Sequence, residues 1–397
     1  MLISERQLKA FQDGFKLIRL IGDALHKFDP VTGKLLVVNS KNVQRAHTKF
    51  CFVPGFLISI LLQVIIATYL KLSTQADVLF CIFLMLAYFG MGYAQWSIIT
   101  KRYKIERVFN HMLEFERTNN LSNWKPKGVA GPFVSSLMYL TTVPFPSAIL
   151  AYLGQILLLP CLPAHFGFFL LPQCSARIKA LEIFKQFPIS QLLYEIVVKT
   201  IMVLVGAFMA HIAFPAFVLD MNLAPLCCHC IRNYIKLYSR LLSRISINSI
   251  NFYGEVAIFR QIQIITIEFN DYHQKYNSVT KLIVMGLGIV IAMFALIRLH
   301  GNLLAPQFLI FGSTVMEFFC AIVFSYGVKA CVYLVCKQLM HDTQAMHSLQ
   351  RHKWFRRYFK SWPILKAYLG SVNYIDQLTP LNVMDFSITQ LVNLLLL

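Results

Sequence analysis

"TPLNVMDFSITQLVNLLLL", residues 379–397, is an apolar run of about the length of a membrane helix, crossed by Asn382, Asp385, Thr389, Gln390 and Asn393. A hydrocarbon core of about 30 Å takes about 20 helical residues. On a helix, positions 382, 385, 389 and 393 advance by three or four residues, so their side chains form one stripe with Gln390 at its edge. Val383, Phe386, Ile388 and the leucines cover the remaining surface. An Asp at the bilayer centre costs about 2.5–3.5 kcal/mol even on an insertion scale. The stripe therefore needs protein or water opposite it, not lipid.

The rest of the chain has the same character. Hydrophobic residues make up 57% and charged residues 14%, with a mean hydropathy of +0.59, far from the quarter of charged residues usual in soluble domains. These values describe an all-α integral membrane protein. Runs long enough to span lie at 50–70, 77–100, 132–160, 191–219, 281–299, 305–336 and 380–397, which predicts seven transmembrane helices in a single domain, 1–397. "CLPAHFGFFLLP" (161–172) is too short to span and reads as an outer, lipid-contacting or re-entrant segment.

Orientation follows from the 37 Lys and Arg. Nine precede residue 50, and seven fall in each of 101–128, 220–281 and 337–379, whereas the opposite loops hold Lys71, Arg177, Lys179 and Lys185 with Arg298 at a helix end. Lys199 and Lys329 sit within spans. This asymmetry places the N-terminus in the cytoplasm and the C-terminus outside. It leaves a cytoplasmic N-terminal segment, 1–49, and two cytoplasmic helical anchor regions, 220–281 and 337–379. The opening "MLISERQLKAFQDGFKLIRLIGDALHKF" mixes acids with bases and has no secretory core. The net charge of +19 is spread over four loops, which fits an anionic inner leaflet rather than nucleic acid.

Most of the ten cysteines lie in or beside spans, where a thiol packs as a small apolar group. Cys161 and Cys174 share the outer loop, where a disulfide is permitted but not required. "LCCHC" sets Cys227, Cys228, His229 and Cys230 just inside the membrane, and adjacent ligands cannot easily surround one zinc, so S-acylation is the better expectation there. His341, His347 and His352 lie close together, but most other histidines are solitary, which argues for a solvated basic face instead of a metal centre. No GxSxG elbow, P-loop or HExxH is present, so neither an enzyme nor a cofactor is expected.

Ionisable groups inside spans mark candidate sites. Glu195 and Lys199 stand at i and i+4 in the outer third of the fourth span, beside Tyr194, and form either a polar wall of an outward cavity or a self-neutralising pair. Glu317 sits near mid-depth in the sixth span next to Phe318 and Phe319, twelve residues from Lys329 and about 18 Å from it along the axis. Tyr194, Glu195, Lys199, Glu317 and Phe318 are the ligand-pocket candidates. Below the membrane, Ile231, Tyr234, Ile235, Tyr238, Leu241 and Leu242 share one helical face, which predicts packing on neighbouring helices or on another subunit, and an oligomer contact is expected here.

Seven spans with the N-terminus inside, about 400 residues, short outer loops, a long helical fourth cytoplasmic segment, "PLNVMDFS" opening the last span and "FRQIQIITIEFND" before the fifth together resemble the arthropod chemoreceptor superfamily, the gustatory and odorant receptors. The resemblance implies a tetrameric ligand-gated cation channel in the plasma membrane, homomeric or heteromeric, with the last helix lining a central pore. It also implies a cytoplasmic anchor joining the subunits and a pocket for a small molecule in each outer half. On that basis Asn382, Asp385, Thr389, Gln390 and Asn393 are the expected pore-lining residues. A secondary transporter is the alternative, although no internal repeat is visible. A G-protein-coupled receptor is less favoured, since its N-terminus lies outside and no DRY or NPxxY motif occurs. Asn120-Leu121-Ser122 is a glycosylation sequon that this topology leaves unmodified in the cytoplasm.

Overall fold

The computed structural model describes residues 25–119, 188–244, 252–274, 277–345 and 353–397, apart from positions 30, 31, 72, 304 and 372, together with a few scattered positions elsewhere. Helices dominate, as expected of apolar segments that must satisfy their own backbone groups. In chain order these are α1 (Ser40–Tyr69), α2 (Gln75–Thr118), α3 (Pro188–Arg244), α4 (Phe252–His273), α5 (Asn277–Arg298), α6 (Ala305–Ala321), α7 (Gly327–Ala345), α8 (Lys353–Lys360) and α9 (Thr379–Leu396). Among the described residues, four stretches are long and apolar enough to cross a membrane: Ser40–Tyr69, Gln75–Thr118, Ser278–Arg298 and Gln307–Gln344. They coincide, to within one or two residues at the ends, with the predicted first, fifth and sixth spans or run past them, and they contain the predicted second span. The third predicted span and the Cys161 and Cys174 pair lie outside the described residues, save for isolated positions between 153 and 157.

Two features depart from an all-α reading. A hairpin pairs β1 (His26–Phe28) with β2 (Leu35–Val37), and a second pairs β3 (Tyr368–Leu369) with β4 (Asn373–Tyr374). Both are too short to carry an alternating pattern and both are held by helices. Asn110 of α2 exchanges two bonds with the Leu35 backbone, at 2.9 Å each, and the Arg117 guanidinium donates to the Thr32 carbonyl. In the second hairpin Gly370 has φ +69°, which glycine adopts without steric cost.

Helices also continue beyond the apolar runs. α2 passes Lys101, where φ −109° and ψ 18° mark a kink, and α3 runs for 57 residues, so both helices extend well past their apolar runs. Between α6 and α7 the chain keeps its direction through a π-helical turn, Ile322–Tyr326. Thr74 and Asp77 form a reciprocal capping box that starts α2, and Gln307 of α6 reaches Asp77 at 3.5 Å.

The largest core among the described residues gathers the later parts of α2 and α3 with α4. Tyr234, Tyr238, Phe259, Phe269 and Tyr272 are fully buried there, and Trp362 stacks on Phe259 with centroids 3.8 Å apart and an interplanar angle of 10°. This corrects one expectation. Ile231, Tyr234, Ile235, Tyr238 and Leu242 are buried against the chain's own helices, so that stripe is not free for a second subunit. The S-acylation expectation also fails, because Cys227, Cys228 and Cys230 are fully buried, with no path for an acyl chain. Burial pushes the Cys228 thiol up to about 12 and also raises the Cys227 and Cys230 thiols well above their usual range, which keeps all three protonated.

Candidate functional site

α9 is set by its first turn. Asp376 Oδ1 accepts from the Thr379 amide at 2.8 Å, the Leu378 amide at 3.1 Å and the Thr379 hydroxyl at 2.7 Å, while the same hydroxyl accepts from the Asp376 amide at 3.0 Å. Pro380 follows, in a position where the missing N–H has no helical partner to lose. The helix then rests on α5 through Val383, Ser387 and Leu391, the last two buried. Gly286 of α5 faces this seam, where an added Cβ would make ordinary contact, 3.6 Å from Ser387 Oγ and 3.9 Å from Val383.

This seating fixes where the polar stripe points. Asp385, Thr389 and Asn393 are exposed on the side of α9 away from its own chain, Asn382 is exposed at the start of the helix, and Gln390 is half-buried at the edge. Phe386, Ile388 and Val392 are exposed beside them. Asp385 is the one charged residue of α9. An outward stripe with one carboxyl per chain can attract cations if several chains bring it around water.

The ligand-pocket candidates are distributed over two regions. Glu195 and Lys199 form the expected ion pair, at 2.6 Å with each side chain about 30% exposed. Tyr194 packs against a small cluster of Ile156, Val198 and Met202, so the first part of α3 touches the stretch predicted as the third span. On α6, Glu317 is exposed and Phe318 leans onto α5 over Gly288, where a Cβ would meet its ring at 2.5 Å. No cluster of three or more His, Cys, Asp or Glu able to hold a metal occurs among the described residues.

Sequence patterns did not reveal a cavity of about 600 Å³ at the other end of α9. It is lined by Leu282, Ile283, Gly286 and Leu287 of α5, by Leu369, Asn373, Tyr374 and Asp376 around the second hairpin, and by Thr379, Asn382, Val383 and Phe386 of α9. None of the five ligand-pocket candidates lines it. Of the expected pore-lining residues, Asn382 does.

By sequence the chain matches no family profile and no curated protein. By structure it matches the insect olfactory receptor OR5 from Machilis hrabei with a TM-score of 0.61 at 12% identity, over 98% of this chain and 99% of that one. The fold is that of an insect olfactory receptor. The receptor in complex with eugenol matches in the same way, with a TM-score of 0.59 at 12% identity over 98% and 97% of the two chains. The likeness of fold thus extends over nearly the whole chain, and at this identity the side chains of any site must be argued from this chain itself.

Proposed function

We propose that the protein is a chemosensory receptor: a subunit of an oligomeric, ligand-gated cation channel in the plasma membrane. The single observation that carries the reading is the exposed stripe of Asn382, Asp385, Thr389 and Asn393 on an otherwise apolar helix. A carboxyl and three neutral polar groups left exposed at membrane depth are costly in lipid and useful around a shared aqueous path. The olfactory-receptor fold supports the same reading. Seven spans, a cytoplasmic N-terminus and a tetramer, of identical or different chains, complete the proposal. The ligand is a small organic molecule, apolar or mildly polar, held in the outer half by Tyr194, Glu195, Lys199, Glu317 and Phe318. Eugenol, which the OR5 structure contains, is a molecule of that class.

Asp385→Asn tests the central claim. In a tetramer it removes four charges from one ring, so conductance or cation-over-anion selectivity falls while surface expression stays near that of the natural chain. Leu394→Ala, on the same helix but off the stripe, alters stability more than permeation. Unchanged reversal potential and conductance in Asp385→Asn, with no cysteine accessibility across 382–393, would refute the pore role of α9.

A further inference from the structure

The cavity at the base of α9 has chemistry of its own, separate from the outer-half pocket proposed above. Its volume, about 600 Å³, lies in the range of about 300–1,000 Å³ usual for small-molecule sites. Its two ends differ. Leu282, Ile283, Leu287, Val383 and Phe386 form an apolar wall between α5 and α9, whereas Asn373, Tyr374, Asp376, Thr379 and Asn382 gather at the hairpin end. Gly286 leaves room on the α5 side, since a Cβ there would meet nothing closer than 3.6 Å.

We propose that this cavity binds an amphiphile with a protonated amine head and an apolar tail. Asp376 is the one charged side chain in the lining. Its Oδ1 is committed to capping α9 through three donors, while Oδ2 takes no hydrogen bond among the described residues and remains able to receive one. The nearby Lys366 is held over the rings of Tyr374 and Tyr368, at 4.4 and 5.2 Å. An ammonium group carries three donors and no acceptor, which suits a carboxylate flanked by the amide oxygens of Asn373 and Asn382. An anionic head would be repelled by the Asp376 carboxylate, the one charge in the lining. The tail then lies along Ile283, Leu287 and Phe386, three side chains left exposed in the isolated subunit. Bound there, the molecule touches the first two turns of the helix that carries the polar stripe.

The test uses the full chain in phosphatidylcholine nanodiscs at neutral pH, with a decylamine bearing a photoreactive group on its tail and labelled peptides mapped by mass spectrometry. The expected labels fall on α5 and α9 around Ile283, Leu287 and Phe386. Unlabelled decylamine protects at least about tenfold better than decanol or decanoate, a measurable difference in affinity. Asp376→Asn keeps an amide oxygen for the cap but removes the charge, and abolishes that preference. Gly286→Leu lowers labelling and Gly286→Ala does not. Equal protection by the three head groups, or labels scattered over every lipid-facing helix, overturns the proposal. A disulfide formed between copies carrying Ile283→Cys and Phe386→Cys also overturns it, because a neighbouring chain then fills the cavity. The competition series needs no variant, so the proposal remains testable if Asp376→Asn fails to fold.

Discussion

Protonating His26 should release the first hairpin from α2. The ring is 1% exposed, Nε2–H donates to the Arg102 carbonyl at 2.9 Å, and Nδ1 has no hydrogen-bond partner among the described residues. Burial lowers its pKa from 6.5 to about 4, with the carbonyl bond opposing the shift and the Arg102 charge assisting it. A group whose charged form is disfavoured when docked binds its proton more readily once undocked. The contribution is therefore fully present above about 6.5 and is lost as pH falls towards about 4. At about 1.36 kcal/mol per unit, the gap corresponds to about 3 kcal/mol of docking free energy. Hydrogen exchange of the amides in 26–37, corrected for intrinsic rates and followed from neutral pH to pH 4, reads this directly. The natural chain should lose protection by about a hundredfold, since every 1.4 kcal/mol is a factor of ten. His26→Gln can still donate to Arg102 but does not titrate, so the difference between the two isolates the histidine from carboxyl groups that protonate in the same range. Parallel pH profiles for the two proteins would refute the reasoning.

Three further outcomes follow from the packing. Gly288→Ala places a methyl 2.5 Å from the Phe318 ring and should destabilise the α5–α6 contact by about 1–3 kcal/mol, read as a lower melting temperature and rescued by Phe318→Leu. Asn270→Ala removes two bonds to the second hairpin, from its amide to the Lys366 carbonyl and from the Tyr368 amide to its oxygen. It should cost about 1–3 kcal/mol and raise hydrogen exchange across 366–374 before any other segment. Neutralising either Glu195 or Lys199 should shift agonist sensitivity with near-normal surface expression if the pair lines the ligand pocket. Equal loss of expression in both, restored by exchanging the two residues, would identify a purely structural pair.

The sequence alone determined what one-dimensional patterns can carry. Apolar run length located the helices, and the step of three and four from Asn382 to Asn393 defined a single polar face on α9. The i,i+4 spacing of Glu195 and Lys199 sufficed to predict their ion pair, because both partners sit on one helix and its geometry brings them together. Periodicity shows that a face is apolar, but not what covers it. The stripe from Ile231 to Leu242 could have met another subunit, yet the folded chain supplies its own cover from α2, α4 and the aromatic cluster around Trp362. The burial of Cys227, Cys228 and Cys230 likewise depends on helices far away in sequence. The two hairpins are too short to show a period of two, and their backbones are held by Asn110 and Asn270, about a hundred residues or fewer from the strands they bind. Tertiary structure also decided that the polar stripe of α9 turns outward, since only the seating of Ser387 and Leu391 on α5 fixes the rotation of the helix. The amphiphile cavity is wholly a product of that level: α5, a hairpin and α9 each contribute a wall, and no single segment carries its pattern.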